Sequence, residues 1–350
     1  MMSCCATCFG DSFLRTQIEE RFSTGAGDCS YCGSTNVLLA EPLSFRDLFE
    51  LLQGVYRRGP GKKLATWLRD DWSLLARLDV LQADMLLAAI LEDAQIGRKR
   101  YVPSTPDDGS SLQRWQDFRN ELKHENRFFP KRVPDLDRLR SLLESYLCAE
   151  PGCIPDSLYR ARICDGDQLY AAAEMGRPPS LLAANGRANP VGIPYFYLAS
   201  DVDTAIAEVR PHAGDKVCVA EFAVARELKI ADLRDPRKTI SPFSLSDEDG
   251  ISSLRRDVSF LCQLGEELAR PVLPKAADLE YLPSQYLCEL IKDQGFDGVM
   301  YGSSVGTGVN VALFGLDPDL VGDIQQFVIT RVNVDKERCR TVGQGRQGEP

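Results

Sequence analysis

Two Cys-x-x-Cys pairs open the chain. CATC and CSYC place Cys5, Cys8, Cys29 and Cys32 with 20 residues between the pairs, a spacing at the edge of the range for a four-cysteine zinc site. Two intervening residues let both thiolates of a knuckle face one tetrahedral ion, and Gly33 relieves crowding at the turn after the second pair. With all four positions supplied by protein, the zinc would be structural and leave no place for a reactive water. Cys4 lies outside the pattern. A second set of residues is scattered over the later half: Arg160 and Arg162 in SLYRAR, Arg187 in NGRANP, Tyr197 in YFYLAS, Glu208 in AIAEVR, and Ser303 and Asn310 in YGSSVGTGVN. Planar guanidinium forks suit phosphate groups, and a single carboxylate can meet a developing positive charge.

These side chains must be carried by regular elements. In EPLSFRDLFELLQGVY, Ser44 and Asp47 form a Ser-x-x-Asp capping signal, so a helix is expected from about Phe45. Leu74, Leu75, Leu78, Leu81, Met85, Leu86, Ala89 and Ile90 follow the amphipathic helical pattern, as do Leu112 to Phe129 and Leu136 to Tyr146. Thr105 to Ser111 reads as a loop, and AEPGCIPDS (Ala149 to Ser157) is the best candidate for a domain boundary. Beyond it the period shortens. Strands are expected at Ile193 to Leu198, Val217 to Val224, Leu228 to Leu233, Val299 to Tyr301 and Val309 to Phe314, with helical pieces at Asp203 to Val209 and Leu282 to Gln294. The expected division is a cysteine-rich segment at 1–40, a helical domain at 41–148, a mixed α and β domain at 149–333, and a polar, disordered tail at 334–350.

The 350 residues leave room for two or three cores. With 44% hydrophobic residues and 26% charged, the chain can bury enough surface to fold. The most apolar stretch, Leu74 to Leu91, is broken by Arg77, Asp79, Gln82 and Asp84, so no bilayer span is expected. The N-terminus lacks the basic start and apolar core of a secretory signal, which points to a cytoplasmic protein. A formal net charge of −10 disfavours non-specific nucleic-acid binding. That charge is uneven: residues 1–150 hold 20 basic and 22 acidic side chains, and 151–350 hold 21 and 29.

The blocks at 157–162, 185–211 and 296–314 resemble the RES domain family, named for Arg, Glu and Ser, in order, spacing and local context. The resemblance implies an α+β fold similar to ADP-ribosyltransferases and a toxin-like enzyme that destroys NAD+ by phosphorolysis or hydrolysis. On it, Arg160, Glu208 and Ser303 become the catalytic set, and Arg187, Tyr197 and Asn310 bind substrate, with Arg162 able to exchange roles with Arg160. The block containing Arg187 lacks the Trp of many members. The first half resembles the zinc-binding, HEPN-like segment fused to some RES domains. A cognate antitoxin and a homodimer are the partners such relatives imply.

The chemistry suits these residues independently of the name. Nicotinamide is already a cationic leaving group, so its departure needs no general acid, and one carboxylate can stabilise the oxocarbenium character left on the ribose. Whether phosphate or water then attacks is not encoded by residue type. The rival reading rests on Arg119 and His124 in RNELKH, whose spacing is similar to the Arg-x4-6-His motif of HEPN ribonucleases. A third, non-catalytic reading makes the helical half a sensing module.

Overall fold

The computed structural model describes residues 2–105, 110–149, 152–164, 166, 169–224, 228–315 and 318–333. The tail expected at 334–350 lies outside them, as does most of the loop expected at Thr105 to Ser111, whose last two residues already belong to a helix.

The first 40 residues fold around a small antiparallel sheet in the order β1-β3-β2: β1 Cys4–Cys5, β2 Ser23–Gly27 and β3 Val37–Ala40, with α1 Ala6–Phe9 and α2 Ser12–Gln17 between the first two. Next come α3 Arg46–Gly54, the strand β4 Tyr56–Lys62, α4 Leu64–Trp72, α5 Val80–Ile90, β5 Tyr101–Pro103 paired with β4, α6 Ser110–His124 and α7 Leu136–Tyr146. The start expected near Phe45 holds without its expected cap, and two other boundaries shift, each for a local reason. Ser44 does not cap α3: Pro42–Phe45 is a 3-10 turn, and α3 begins after Phe45 with no side-chain cap. The run from Leu74 becomes helical only at Val80, because Ser73 and Leu75 are left-handed and Asp79 forms a reciprocal capping box with Gln82. The pattern expected to continue to Phe129 stops at His124, and Phe128 and Phe129 stand 84% and 81% exposed.

The remainder builds one mixed sheet of seven strands, in the order β12-β8-β6-β7-β11-β10-β9. Its strands are β6 Ser157–Ile163, β7 Phe196–Ala199, β8 Lys216–Ala223, β9 Ile230–Asp232, β10 Gly298–Gly302, β11 Val309–Leu313 and β12 Asp319–Val328. Among the described residues, only β9 and β10 pair in parallel. Helix α8 Val202–Glu208 follows β7, and α9 Pro236–Thr239, α10 Glu248–Ala269, α11 Ala277–Glu280 and α12 Leu282–Asp293 separate β9 from β10. Of these, α10 was not anticipated from the sequence, although Asp247 caps it and Ile251, Leu254, Val258, Leu261 and Leu268 form its buried stripe.

Alternation sorts the sheet's side chains between two layers. Met300, Val311 and Leu313 join Leu158, Phe196 and Phe222 on one side, while Val299, Tyr301 and Ala312 face α10 and α12 on the other. This second layer is continuous with the first half of the chain. A single cluster runs from Cys4 through Phe45, Leu86 and Trp115 to Leu264, Leu287 and Phe314. This largest cluster draws on both sides of residue 149, with α3, α4 and α6 packed against α10 and α6 against α12.

Candidate active site

Strand β6 pairs with β8 at every position from Ser157 to Ile163, but with β7 only through Tyr159 and Ala199. Past that pair the strands diverge, and the split opens into a cavity of about 250 Å³. Its walls are Tyr159, Arg160 and Ala161 from β6, Tyr197, Leu198 and Ala199 from β7, and Ala205, Glu208 and Val209 at the end of α8, with Tyr301 and Asn310 from β10 and β11. Arg160 reaches into the split, where its Nη1 donates to the Tyr197 carbonyl at 3.3 Å and its guanidinium lies 5.1 Å from the centre of the Phe196 ring.

Glu208 is the last residue of α8, where helix carbonyls point outward and a carboxylate is electrostatically disfavoured. Two donors offset this. Ser303 Oγ and Asn310 Nδ2 each lie 2.6 Å from Glu208 Oε1. Both bonds are charge-assisted and leave Oε2, among the described residues, with no protein donor. The Ser303 hydroxyl has little freedom. It already accepts from the amides of Val305 at 3.2 Å and Gly306 at 2.9 Å, so its one proton is directed to Glu208.

The turn carrying Ser303 is fastened to the start of α8. Asp201 caps the helix through Thr204 N and accepts from the hydroxyls of Ser200 and Thr204, which in turn accept from the amides of Val309 and Gly308. Burial acts to raise the Asp201 pKa, but these donors prevail and hold it below the usual carboxylate value. Gly308 is closely enclosed here: a Cβ would lie 2.2 Å from Asp201 Oδ2 and 2.4 Å from the Ser200 and Thr204 hydroxyls, so these side chains would have to shift.

Tyr197 contributes its ring to the cavity, while its hydroxyl is spent on the neighbouring loop, donating to Asn189 Oδ1 at 2.7 Å and accepting from Ala188 N at 3.0 Å. Burial pushes its phenol pKa up, so it stays neutral. Arg187 does not line the cavity, but it lies close enough to Tyr301, one of its walls, to act on it electrostatically; its Nη1 donates to the Arg270 carbonyl and its guanidinium lies 5.5 Å from the centre of the Tyr281 ring. Arg162 is also directed elsewhere, to the Glu174 carbonyl and the Tyr170 ring. Of the sequence candidates, Arg160, Tyr197, Glu208, Ser303 and Asn310 thus converge, and Arg187 does not. Tyr301 and the Ser200, Asp201 and Thr204 group were missed. The Asp-x-x-Thr cap at the start of α8 was the available signal for the latter.

A split mixed sheet thus brings a carboxylate, a serine and an arginine to one cavity, and comparison with known families places the chain. The family model described as RES domain matches residues 157–339, and the chain belongs to that family. Among solved structures it is similar to a chain of the M. tuberculosis MbcT–MbcA toxin–antitoxin complex, with 15% identity, 55% of this chain and 92% of that chain covered, and a TM-score of 0.33. A comparison with curated proteins finds no match.

The cysteine pairs also meet. The Sγ atoms of Cys5, Cys8, Cys29 and Cys32 all lie within 4.8 Å of one another, with 3.5 Å between Cys5 and Cys32 and 3.3 Å between Cys8 and Cys29. Zinc–thiolate bonds of about 2.3 Å in a tetrahedron need sulfurs about 3.8 Å apart, so the donor set is compatible with zinc. Gly33, at φ 72°, closes the second knuckle through its amide bond to the Cys29 carbonyl. Burial acts to raise the Cys32 thiol pKa, but hydrogen bonding with Ser34, Cys5 and Cys29 outweighs it and brings the value down to about 7. Cys4 is separate, bonded to the Ala40 carbonyl.

Arg119 and His124 are not arranged as a free pair. Arg119 is held by Glu267 at 3.0 Å and Glu280 at 3.9 Å, whereas His124 is exposed at the end of α6. No helix among the described residues is long and apolar enough to cross a membrane.

Proposed function

We propose that the chain is an NAD+-degrading enzyme of toxin-like role that breaks the nicotinamide–ribose bond. The observation carrying this reading is the convergence of Ser303 and Asn310 on one oxygen of Glu208 beside Arg160, in the sheet split of a RES-family chain. In it, Arg160 holds the dinucleotide and the Tyr197 ring packs against ribose or nicotinamide. Glu208, fixed through Oε1, faces the anomeric carbon with Oε2. As the C–N bond breaks, its electron pair leaves with nicotinamide, and Glu208 stabilises the positive charge on the ribose. A phosphate oxygen or a water then bonds to the same carbon; water loses its proton to Glu208 or solvent. Zinc on the four cysteines would brace the fold and take no part in this chemistry.

Purified chain incubated with NAD+ tests the proposal. Release of nicotinamide is expected, with ADP-ribose-1″-phosphate formed in phosphate buffer if the acceptor is phosphate and ADP-ribose if it is water. No loss of NAD+ from the folded, metal-loaded chain would overturn the reading. A cognate antitoxin that covers the cavity is the corresponding partner.

A further inference from the structure

Arg119 stands out because the proposed chemistry does not use it, yet it lies in an extended charge network. Along α6, Trp115, Arg119 and Lys123 recur every four residues and so share one helix face. All three reach carboxylates of the catalytic half: Trp115 Nε1 donates to Glu267 at 3.5 Å, Arg119 pairs with Glu267 and Glu280, and Lys123 Nζ meets Glu280 at 2.7 Å. Glu280, on α11, also receives Arg270 Nη2 at 2.7 Å, and Glu267 lies 3.6 Å from the same nitrogen. Arg270 follows the last residue of α10, and its backbone carbonyl is the acceptor for Arg187. Tyr281, next to Glu280, supplies the ring under the Arg187 guanidinium. The Arg270 to Glu280 pair therefore closes the segment between α10 and α11, presenting a carbonyl and an aromatic face to Arg187 together.

The backbone of the Arg187 loop is gripped from the same side. Ser284 Oγ donates to the Arg187 carbonyl at 2.6 Å, Gln285 Nε2 lies 2.8 Å and 3.0 Å from the carbonyls of Gly186 and Asn189, and Asn185 bonds to Asp278. Lys123 and Glu267 side chains are only 7% and 8% exposed, so the pairs linking the halves are poorly screened. We propose that α6 is a positioning element for the substrate loop: through Glu267 and Glu280 it fixes Arg270 and Tyr281, and through them the place from which Arg187 meets the dinucleotide. This rests on the NAD+ reading and on Arg187 as a substrate contact.

The experiment is steady-state NAD+ cleavage by the full-length chain and its Lys123→Met, Glu280→Gln and Arg187→Lys variants, with thermal melting of each. Lys123→Met and Glu280→Gln are expected to raise KM roughly tenfold with kcat within about twofold, the pattern of lost uniform binding. In the Arg187→Lys background, Lys123→Met should add almost nothing, because the relay then has no end point. An unchanged KM in the single variants, or full additivity with Arg187→Lys, would overturn the proposal. If the wild-type chain leaves NAD+ intact, the function fails separately, and amide hydrogen exchange over 183–193 decides the relay: faster exchange in Lys123→Met supports it, and unchanged exchange removes it.

Discussion

Glu208 and Ser303 are 95 residues apart in sequence and 2.6 Å apart at the mouth of the sheet split. Neither position is remarkable alone: one ends a seven-residue helix, the other begins a glycine-rich turn. Their meeting depends on the antiparallel β10 and β11 pair lying beside β7, whose C-terminal end leads directly into α8.

Glu208→Gln should keep the hydrogen-bonding shape and lose the charge. NAD+ turnover is expected to fall by at least about a hundredfold, as for removal of a group aimed at transition-state charge. Ser303→Ala and Asn310→Ala should each cost less, roughly tenfold, since the other donor still holds Oε1. Product release measured by chromatography checks all three, and undiminished turnover in Glu208→Gln would remove Glu208 from the chemistry.

Gly308→Ala should be damaging out of proportion to its size. The added methyl has nowhere to go among Asp201, Ser200 and Thr204, and an overpacking cost of about 1–3 kcal/mol is expected. A lowered melting temperature together with lost activity would show that this fastening holds Ser303 in place. Wild-type behaviour would mean the turn can move.

Metal analysis should find one zinc per chain. Because Cys5, Cys8 and Cys29 are buried in the same cluster as α10 and α12, chelation or Cys29→Ser should lower the melting temperature of the whole chain and not merely fray its first 40 residues. Full stability in a zinc-free preparation would exclude the structural role.

Glu280 gives a pH signature. Its bond with Lys123, which outweighs a burial effect of opposite sign, holds its pKa below the usual glutamate value. A depressed carboxylate stabilises the folded state above the unfolded pKa, about 4.3, and that contribution is lost as pH falls through the lower folded value. The gap in melting temperature between wild type and Glu280→Gln should therefore be largest at neutral pH and narrow in acid below about pH 4. A gap that does not change with pH would refute the assignment.

Much of the site was legible because its residues lie in short blocks whose order is informative: Arg160, Tyr197, Glu208, Ser303 and Asn310 were all named from sequence and all converge. Arg187 was named with them but is docked on Arg270, a contact made across 83 residues that no local pattern encodes. Five strands and the helices α8 and α12 of the second half were readable from period, but β6, β12 and α10 were not, and the first residue of α5 was hidden inside a continuous apolar run. The three leucines at 74, 75 and 78 are buried without being helical. The common core was illegible for a related reason: a buried stripe on α6 looks the same whether its partner is a neighbouring helix or one more than a hundred residues later.

That common core bears on how the protein is made. Its apolar surface is not satisfied until α10 and α12 have been synthesised, and Asn310 arrives later still. On a ribosome, no nascent chain that stops short of Asn310 holds both a closed interior and a finished carboxylate site. If the chain destroys NAD+, that chemistry cannot begin during translation before Asn310 has joined Glu208.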